Sequence, residues 1–209
     1  MNNSAIDNRI SQSSGIRVRY MTVTAMLSAL AFILMFLDFS VPFMPSFIKM
    51  DISELPALVG AFAMGPVYGV FVCLIKNLLH LFITTTGGVG ELCNFLLGAI
   101  FVFAAGFIYQ RNKKRKTAVL GALVGAALMA ILSVPVNYFI TYPVYTKFMP
   151  IDAIISMYQE INPAADSLLM CLITFNAPFT FIKGLLSVVI TFVIYKKISP
   201  IIKGTQTGR

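Results

Sequence analysis

Long apolar segments separated by short polar connectors make up most of this chain. A run of about 20 apolar residues is long enough to cross a bilayer as a helix. The apolar run 55–84 is too long for one such helix, and Gly65-Pro66 inside it is a turn signal, so we expect two helices to meet there. The pattern therefore predicts six helices, at about 21–37, 54–64, 67–83, 91–110, 117–141 and 167–195.

The composition places these helices in a membrane. Hydrophobic residues make up 58% of the 209 residues, charged residues make up 11%, and the mean hydropathy is +0.85. In a soluble domain about half of the residues are apolar and about a quarter are charged. The sequence thus predicts an all-α integral membrane protein with six transmembrane helices, and a loop at 142–166 that holds a short helix near 151–160.

The basic residues, which give the chain a net charge of +8, lie mostly in three clusters. One precedes the first helix, one fills the connector 111–116, and one follows the last helix. Because positively charged loops stay in the cytoplasm, six spans place all three clusters and both termini there. We therefore expect a cytoplasmic segment 1–20, a membrane domain 21–198 and a cytoplasmic tail 199–209. This placement accounts for the charge without nucleic acid as a partner.

Lys183 is the only charged residue in the last apolar segment, 167–195. A lysine at the centre of a membrane helix costs about 2.5–3.5 kcal/mol on insertion scales, and it usually faces a partner or a cavity. Asn176 and Thr180 precede it by seven and three residues, which places all three side chains on one helical face. We interpret this polar stripe as one wall of a binding site.

Other polar side chains fall near the same, extracellular ends of the predicted helices. They are Lys76, His80, Glu91, Asn94, Asn137 and Tyr142. Together with glycine-rich and aromatic loops they predict an outward-facing pocket, which suits a flat ring with carbonyls and ring nitrogens. Taken singly, the amides could instead bond neighbouring helices, the tyrosines could form an interfacial belt, and Lys76 could form a structural ion pair with Glu91.

No motif in the sequence indicates a catalytic or ATP-binding site. There is no glycine-rich phosphate loop and no hydrolase signature. The three cysteines lie in apolar segments without C-x-x-C spacing and predict buried free thiols, and a single histidine does not predict a metal site. We expect a binding protein and not an enzyme. The alternatives are a membrane enzyme that uses Lys76, His80 and Glu91 as acid–base groups, and an assembly subunit with an empty pocket.

Five stretches of the sequence resemble a known family. They are 50–56 (MDISELP), 74–80 (LIKNLLH), 86–94 (TGGVGELCN), 135–139 (PVNYF) and 178–184 (PFTFIKG). With an A-x-x-x-A pattern on the first helix, the chain resembles the substrate-binding S components of energy-coupling factor (ECF) vitamin transporters, and among these the riboflavin-specific members.

The resemblance implies a multi-pass protein of the bacterial cell membrane that binds riboflavin from outside, as a transported ligand. FMN or another vitamin is the alternative ligand. It implies ring contacts from Asn137 and Lys183, whereas Thr180 stands where the family usually has the asparagine of an Asn-x-x-Lys motif. It also implies that Ala25 and Ala29 face a transmembrane coupling subunit, which two cytoplasmic ATPase subunits drive.

Overall fold

The structure is a computed structural model. It describes residues 3–42, 44–45, 48–84, 86–147 and 149–203. Residues 204–209 of the predicted cytoplasmic tail lie outside the described residues.

Helices form nearly all of the regular structure in this part of the chain. In order, the elements are α1 (Asn3–Met35), β1 (Phe39–Ser40), β2 (Lys49–Met50), α2 (Glu54–Met64), α3 (Pro66–His80), α4 (Val89–Arg111), α5 (Arg115–Val136), α6 (Tyr142–Tyr145), α7 (Ile151–Gln159), α8 (Leu168–Cys171) and α9 (Ala177–Lys203). A 3₁₀ turn follows α3, and π-helical turns join α5 to α6 and α8 to α9.

Each of the six predicted helices has a counterpart among these elements. The largest difference is at the N-terminus, because α1 begins at Asn3 and not near residue 21. Only the stretch Gly15–Met35 is apolar enough to cross a membrane. Apolar patterning detects the part of a helix that fits a bilayer and misses its polar extension.

Five helical stretches among the described residues are long and apolar enough to cross a membrane. They are Gly15–Met35, Pro66–Ile83, Val89–Arg111, Arg115–Tyr145 and Leu168–Ile194. Large apolar side chains such as Met26, Phe71 and Phe103 are exposed on their outer faces. An apolar surface of this kind is unfavourable in water and suits contact with lipid. The chain is therefore a multi-pass membrane protein.

Helix α2 is too short to cross a bilayer alone. Its 11 residues rise about 16 Å, whereas the hydrocarbon core is about 30 Å thick. Glu54 at its start lines the cavity described below, and Gly65 after its end lies against the side chain of Gln110 near the end of α4. All of α2 except Ala63 is buried. It is a central, buried helix that extends from the cavity through only the other half of the bundle.

Prolines shape the helical stretch that follows the basic connector. Pro135 lies inside α5 and lacks the N–H of an α-helical hydrogen bond, and the π-helical turn Asn137–Thr141 follows it directly. The helical path continues into α6 with Pro143 in its first turn. This stretch therefore ends a few residues beyond the predicted boundary, because proline is tolerated at the start of a helix.

Helices α4 and α5 pack with their backbones in contact. A Cβ atom at Gly121 would lie 2.8 Å from the carbonyl oxygen of Ala105, and one at Gly125 would lie 2.5 Å from that of Phe101. Helix α9 also packs closely on α5, since a Cβ atom at Gly184 would lie 2.8 Å from the side-chain Cβ of Ala126. The small-residue spacing on α5 thus marks two helix contacts.

The segment between α1 and α2 folds over one end of the bundle. Strands β1 and β2 pair antiparallel, with Phe39 opposite Met50. An ion pair of 2.9 Å joins Lys49 to Asp38 at the surface. Beyond β2 the chain becomes buried, and Ser53 is fully inaccessible. This segment was predicted as a simple loop, because two-residue strands leave no period in the sequence.

Candidate ligand-binding site

A cavity of about 700 Å³ lies at the end of the bundle that the β1–β2 segment covers. This volume is within the range of about 300–1,000 Å³ that small-molecule sites occupy. Its apolar lining comprises Met35, Ile48, Leu97, Met129, Met149, Ile154 and Phe179. Its polar lining comprises Asp38, Lys49, Asp51, Glu54, His80, Thr86, Glu91, Asn94, Asn137, Thr141, Tyr142, Tyr145, Asn176, Thr180 and Lys183.

The cavity brings together seven of the eight predicted binding residues. They are Glu91, Asn94, Asn137, Tyr142, Asn176, Thr180 and Lys183. These residues come from α4, the α5–α6 stretch and the α8–α9 stretch. The eighth, Lys76, is not in the lining.

Lys183 faces the cavity with its charge compensated. Its Nζ lies 2.8 Å from Oδ2 of Asp51 and 3.5 Å from Oε2 of Glu54, and it donates a long hydrogen bond of 3.5 Å to Oδ1 of Asn94. Its side chain is only 13% exposed. A charge this deeply buried is tolerated only with partners, and the two carboxylates provide them.

Lys76 lies behind the cavity wall. It is fully buried, and its Nζ donates to Oε1 of Glu54 at 2.9 Å and to Oγ of Ser53 at 2.5 Å. Lys76 thus forms a structural ion pair, but with Glu54 and not with Glu91, so the expected partner was wrong. Because Glu54 contacts both lysines and Asp51 contacts Lys183, two positive and two negative charges meet in one buried cluster.

Asp51 is the member of this cluster that lies outside the membrane-spanning segments. Burial by itself raises the pKa of its carboxyl, but the ammonium groups of Lys183 and Lys76 and a hydrogen bond from Lys183 outweigh burial. The net effect lowers the pKa of Asp51 well below its usual range. Asp51 is therefore a permanent anion at neutral pH and keeps Lys183 in place.

Glu91 anchors the loop between α3 and α4. Its Oε1 lies 2.8 Å from Nδ1 of His80, and its Oε2 accepts hydrogen bonds from the hydroxyls of Thr84 and Thr86, at 2.9 and 3.0 Å. Both carboxylate oxygens are thus engaged within the protein. This geometry favours a positioning role for Glu91 over direct contact with a ligand.

The two threonines that bond to Glu91 also bond to the backbone of the loop. Oγ1 of Thr84 accepts from the backbone N–H of Gly88, and Oγ1 of Thr86 accepts from that of Gly90, each at 3.1 Å. Gly87 has a φ of 63° and lines the cavity. Glycine adopts this left-handed conformation without strain, which suits its position at the edge of the cavity.

The three residues of the enzyme alternative fall into two separate clusters. His80 and Glu91 bond to each other, whereas Lys76 bonds to Glu54 and Ser53. An acid–base mechanism needs its groups within reach of one reacting atom. Lys76 is outside the cavity lining, so this arrangement gives the alternative no support.

Tyr142, Tyr158 and Asn176 form a hydrogen-bonded ring in the cavity wall. The hydroxyl of Tyr158 donates to Oδ1 of Asn176 at 2.7 Å and lies 2.5 Å from the hydroxyl of Tyr142, to which Nδ2 of Asn176 donates at 3.4 Å. Burial raises the pKa of Tyr158, so its hydroxyl stays a neutral donor. The ring ties α7 to α6 and to the π-helical turn before α9.

Asn137 presents an amide oxygen that the protein engages only weakly. Its Nδ2 donates to the carbonyl oxygen of Ser133 at 2.8 Å, while Oδ1 accepts only a long bond of 3.6 Å from Sγ of Cys93. Thr180 is also in the cavity lining. Asn94 differs from both, because Lys183 takes its oxygen and its Nδ2 donates to Asn77 at 3.3 Å.

Helix α1 has one buried face and one exposed face. Ala25 and Ala29 lie on the exposed face, whereas Ser28 and Ala31 are buried. The two predicted coupling residues are therefore accessible to another helix.

Asp51 and Glu54, the anionic half of the charge cluster, were not among the predicted site residues. An acidic residue in the first turn of a helix, such as Glu54, is a common surface feature and does not by itself indicate a site. Their position in the sequence could have indicated burial. Asp51 lies just before a short apolar helix and Glu54 lies within it, where little water can solvate a carboxylate.

A membrane domain with a partly polar cavity of this volume at one end is the architecture of a small-molecule binding or transport protein. A family model described as "ECF transporter, substrate-specific component" matches residues 19–195. The chain belongs to this family, the substrate-specific components of ECF transporters.

Named relatives support the same grouping. The riboflavin transporter RibU of Staphylococcus aureus (strain TCH60) is 32% identical over 185 residues, which cover 88% of this chain and 92% of the relative. The riboflavin transporter FmnP of Bacillus subtilis (strain 168) is 32% identical over 195 residues, with coverages of 92% and 98%. A solved structure of the S component of a bacterial ECF transporter superposes with a TM-score of 0.71 at 30% identity, covering 90% of this chain and 99% of that one.

Proposed function

We propose that this protein binds riboflavin in the cavity and is the riboflavin-specific subunit of an ECF importer. The observation that carries the proposal is the cavity of about 700 Å³, in which the charge-compensated Lys183 and the amide of Asn137 lie among apolar side chains. A neutral, flat ring that carries carbonyl oxygens and an N–H group matches a donor and an acceptor set in apolar walls. The names of the two relatives, both riboflavin transporters, point to the same ligand.

Three side chains are the proposed ring contacts. Lys183 keeps one N–H group for a ligand after bonding to Asp51 and Asn94, and Asn137 offers its weakly engaged amide oxygen. Thr180 offers one hydroxyl where the family usually has an asparagine amide. Four other predicted site residues have polar groups that are already bonded within the protein, so in this proposal they position the ring contacts and shape the cavity wall. They are Asn94, Asn176, Glu91 and Lys76.

The charges that line the cavity favour riboflavin over FMN. Four acidic residues line it, against two lysines. The acidic residues are Asp38, Asp51, Glu54 and Glu91, and the lysines are Lys49 and Lys183. A phosphate group would meet a lining with net negative charge, whereas riboflavin carries no charge at neutral pH.

The proposed topology has six helices that traverse the membrane region, with both termini in the cytoplasm. Helix α2 serves as the sixth by spanning the half below the cavity. The basic connector between α4 and α5 lies at the end of these helices away from the cavity. By the positive-inside rule that end is cytoplasmic, so the cavity faces outside and captures ligand there.

Release to the cytoplasm requires partners in this proposal. The chain has no phosphate-binding loop of its own, so ATP hydrolysis belongs to two cytoplasmic ATPase subunits. A transmembrane coupling subunit connects them to this protein. The exposed face with Ala25 and Ala29 is the proposed contact, because small residues let another helix approach closely.

Titration of the purified protein with riboflavin tests the proposal. Flavin fluorescence should be quenched on binding, with saturation at one ligand per chain. Thiamine, a vitamin with a positive charge, should not compete. Protein that leaves flavin fluorescence unchanged, while retaining its melting transition in detergent, would show that riboflavin is not the ligand.

A further inference from the structure

The hydrogen-bond acceptors at the floor of the cavity are engaged within the protein, with one exception. We define the floor by its described polar residues, Asp51, Glu54, Asn94 and Lys183. Oδ1 of Asp51 accepts from the backbone N–H of Ser53, and Lys183 donates to Oδ2 of Asp51 and to Oδ1 of Asn94. Only Oε2 of Glu54 accepts no hydrogen bond among these side-chain oxygens.

Oε2 of Glu54 is buried, where an acceptor without a donor is energetically unfavourable. Glu54 is 1% exposed, and its other oxygen is taken by Lys76. Nζ of Lys183 lies 3.5 Å from Oε2, which compensates charge without forming a hydrogen bond. A buried acceptor without a donor carries a desolvation penalty, so such atoms are rare unless a ligand or water completes them. Glu54 lines the cavity, and a ligand there can supply the donor.

The neighbours of this oxygen describe the ligand edge that fits it. Lys183 has three N–H donors, and two of them donate to Asp51 and Asn94. The floor therefore offers one acceptor beside one donor. The complementary ligand edge carries an N–H beside a carbonyl oxygen, as an imide does. Leu97 and Met129 line the cavity as well, which suits a ring and not a chain of hydroxyls at this depth.

We propose that Glu54 recognises the imide N–H of the flavin ring, while Lys183 donates to the adjacent carbonyl oxygen. This inference rests on the proposed riboflavin-binding function and assigns the orientation of the ring. The pyrimidine edge then enters first, and the ribityl chain points to the mouth. Glu54 is thus a specificity-determining residue, although its position at a helix start resembles that of an ordinary surface acid.

A pair of ligands tests the assignment on the unaltered protein. Riboflavin and its N3-methyl derivative differ only in the imide N–H. A hydrogen bond to a charged acceptor typically strengthens binding about 10- to 100-fold, so the methyl derivative should bind weaker by that factor. If the protein binds neither flavin, the proposed function itself fails. If it binds riboflavin and the N3-methyl derivative equally, only the role of Glu54 is overturned.

Two variants separate a hydrogen bond to Glu54 from simple crowding by the methyl group. Glu54→Met combined with Lys76→Met removes the acceptor without leaving a lone buried charge, and Glu54→Asp keeps the charge but withdraws the carboxylate. In both, the preference for riboflavin over the methyl derivative should shrink to within about threefold. Lys147→Met, at an exposed lysine outside the cavity lining, is the control and should retain the preference. If the double variant fails to fold, Glu54→Asp decides, and an undiminished preference there overturns the proposal.

Discussion

The ammonium of Lys183 lies 2.8 Å from the carboxylate of Asp51, although 132 residues separate the two in the sequence. The pair joins the segment after β2 to α9 and closes one side of the cavity. Removing either partner would leave a buried charge without its main counter-ion. The same contact therefore holds the covering segment in place and fixes the position of the lysine in the cavity lining.

Lys183→Ala should weaken riboflavin binding by about 10- to 100-fold, since it deletes a charged donor to the ring. The measurement is a calorimetric titration in detergent. Lys147→Ala is the matched control, because Lys147 is exposed and outside the cavity lining, and its affinity should match the unaltered protein. Unchanged affinity in the Lys183 variant would refute its role in binding.

Lowering the pH should destabilise the protein through Asp51. The folded-state pKa of Asp51 is lowered, so its stabilising contribution is present above the unfolded pKa, about 3.9, and is lost as the pH falls below it. The melting temperature of the unaltered protein should drop more steeply below about pH 4 than that of Asp51→Asn. Identical pH profiles for the two proteins would contradict this assignment.

Glu91→Ala should release the loop between α3 and α4 and speed riboflavin dissociation by about tenfold. Replacing Thr84 and Thr86 by valine should have a similar effect, and combining all three changes should add little, because they act through one network. Stopped-flow fluorescence gives the rates. Glu160→Ala, an exposed carboxylate elsewhere, is the control. Additive effects would indicate that Glu91 contacts the ligand directly.

Tyr158→Phe should lower the free energy of unfolding by about 1–3 kcal/mol, because it leaves Oδ1 of Asn176 buried without a donor. Thermal unfolding in detergent checks this stability change. Tyr138→Phe is the control, since Tyr138 is 40% exposed. Equal melting temperatures for the two variants would show that the tyrosine ring is not a stabilising element.

Ala25→Leu or Ala29→Leu should abolish cellular uptake of riboflavin while leaving binding to the purified protein unchanged. A larger side chain on this exposed face prevents close approach of the coupling subunit. Val124→Leu adds bulk to an exposed position on α5 and should spare both binding and uptake. Normal uptake in the alanine variants would place the coupling contact on another surface.

Apolar patterning predicted where the helices lie because lipid contact requires continuous apolar runs. It also predicted the short helix α2, since Gly65-Pro66 breaks the run, and Gly65 has a φ of 120° that favours glycine. The start of α1 at Asn3 and the β1–β2 pairing were not predictable in this way. Polar helix extensions and two-residue strands depend on tertiary contacts and not on a local period.

Seven of the eight predicted binding residues line the cavity, because embedded polar groups are rare enough to stand out in an apolar sequence. Their partners could not be derived. The partner of Lys76 is Glu54 and not Glu91, since pairing across helices depends on rotation and depth. Tyr158 was missed for a similar reason, because a tyrosine in a short helix gives no sign that it turns inward.

The contacts at Gly121, Gly125 and Gly184 limit how this protein can move. Because these glycines let the helices pack so closely, α4, α5 and α9 have little room to slide or rotate past one another. These three helices form a rigid slab that carries Asn137, Thr180 and Lys183. Any motion that exposes the ligand to the cytoplasm must therefore move the slab as one body or displace the segments packed around it.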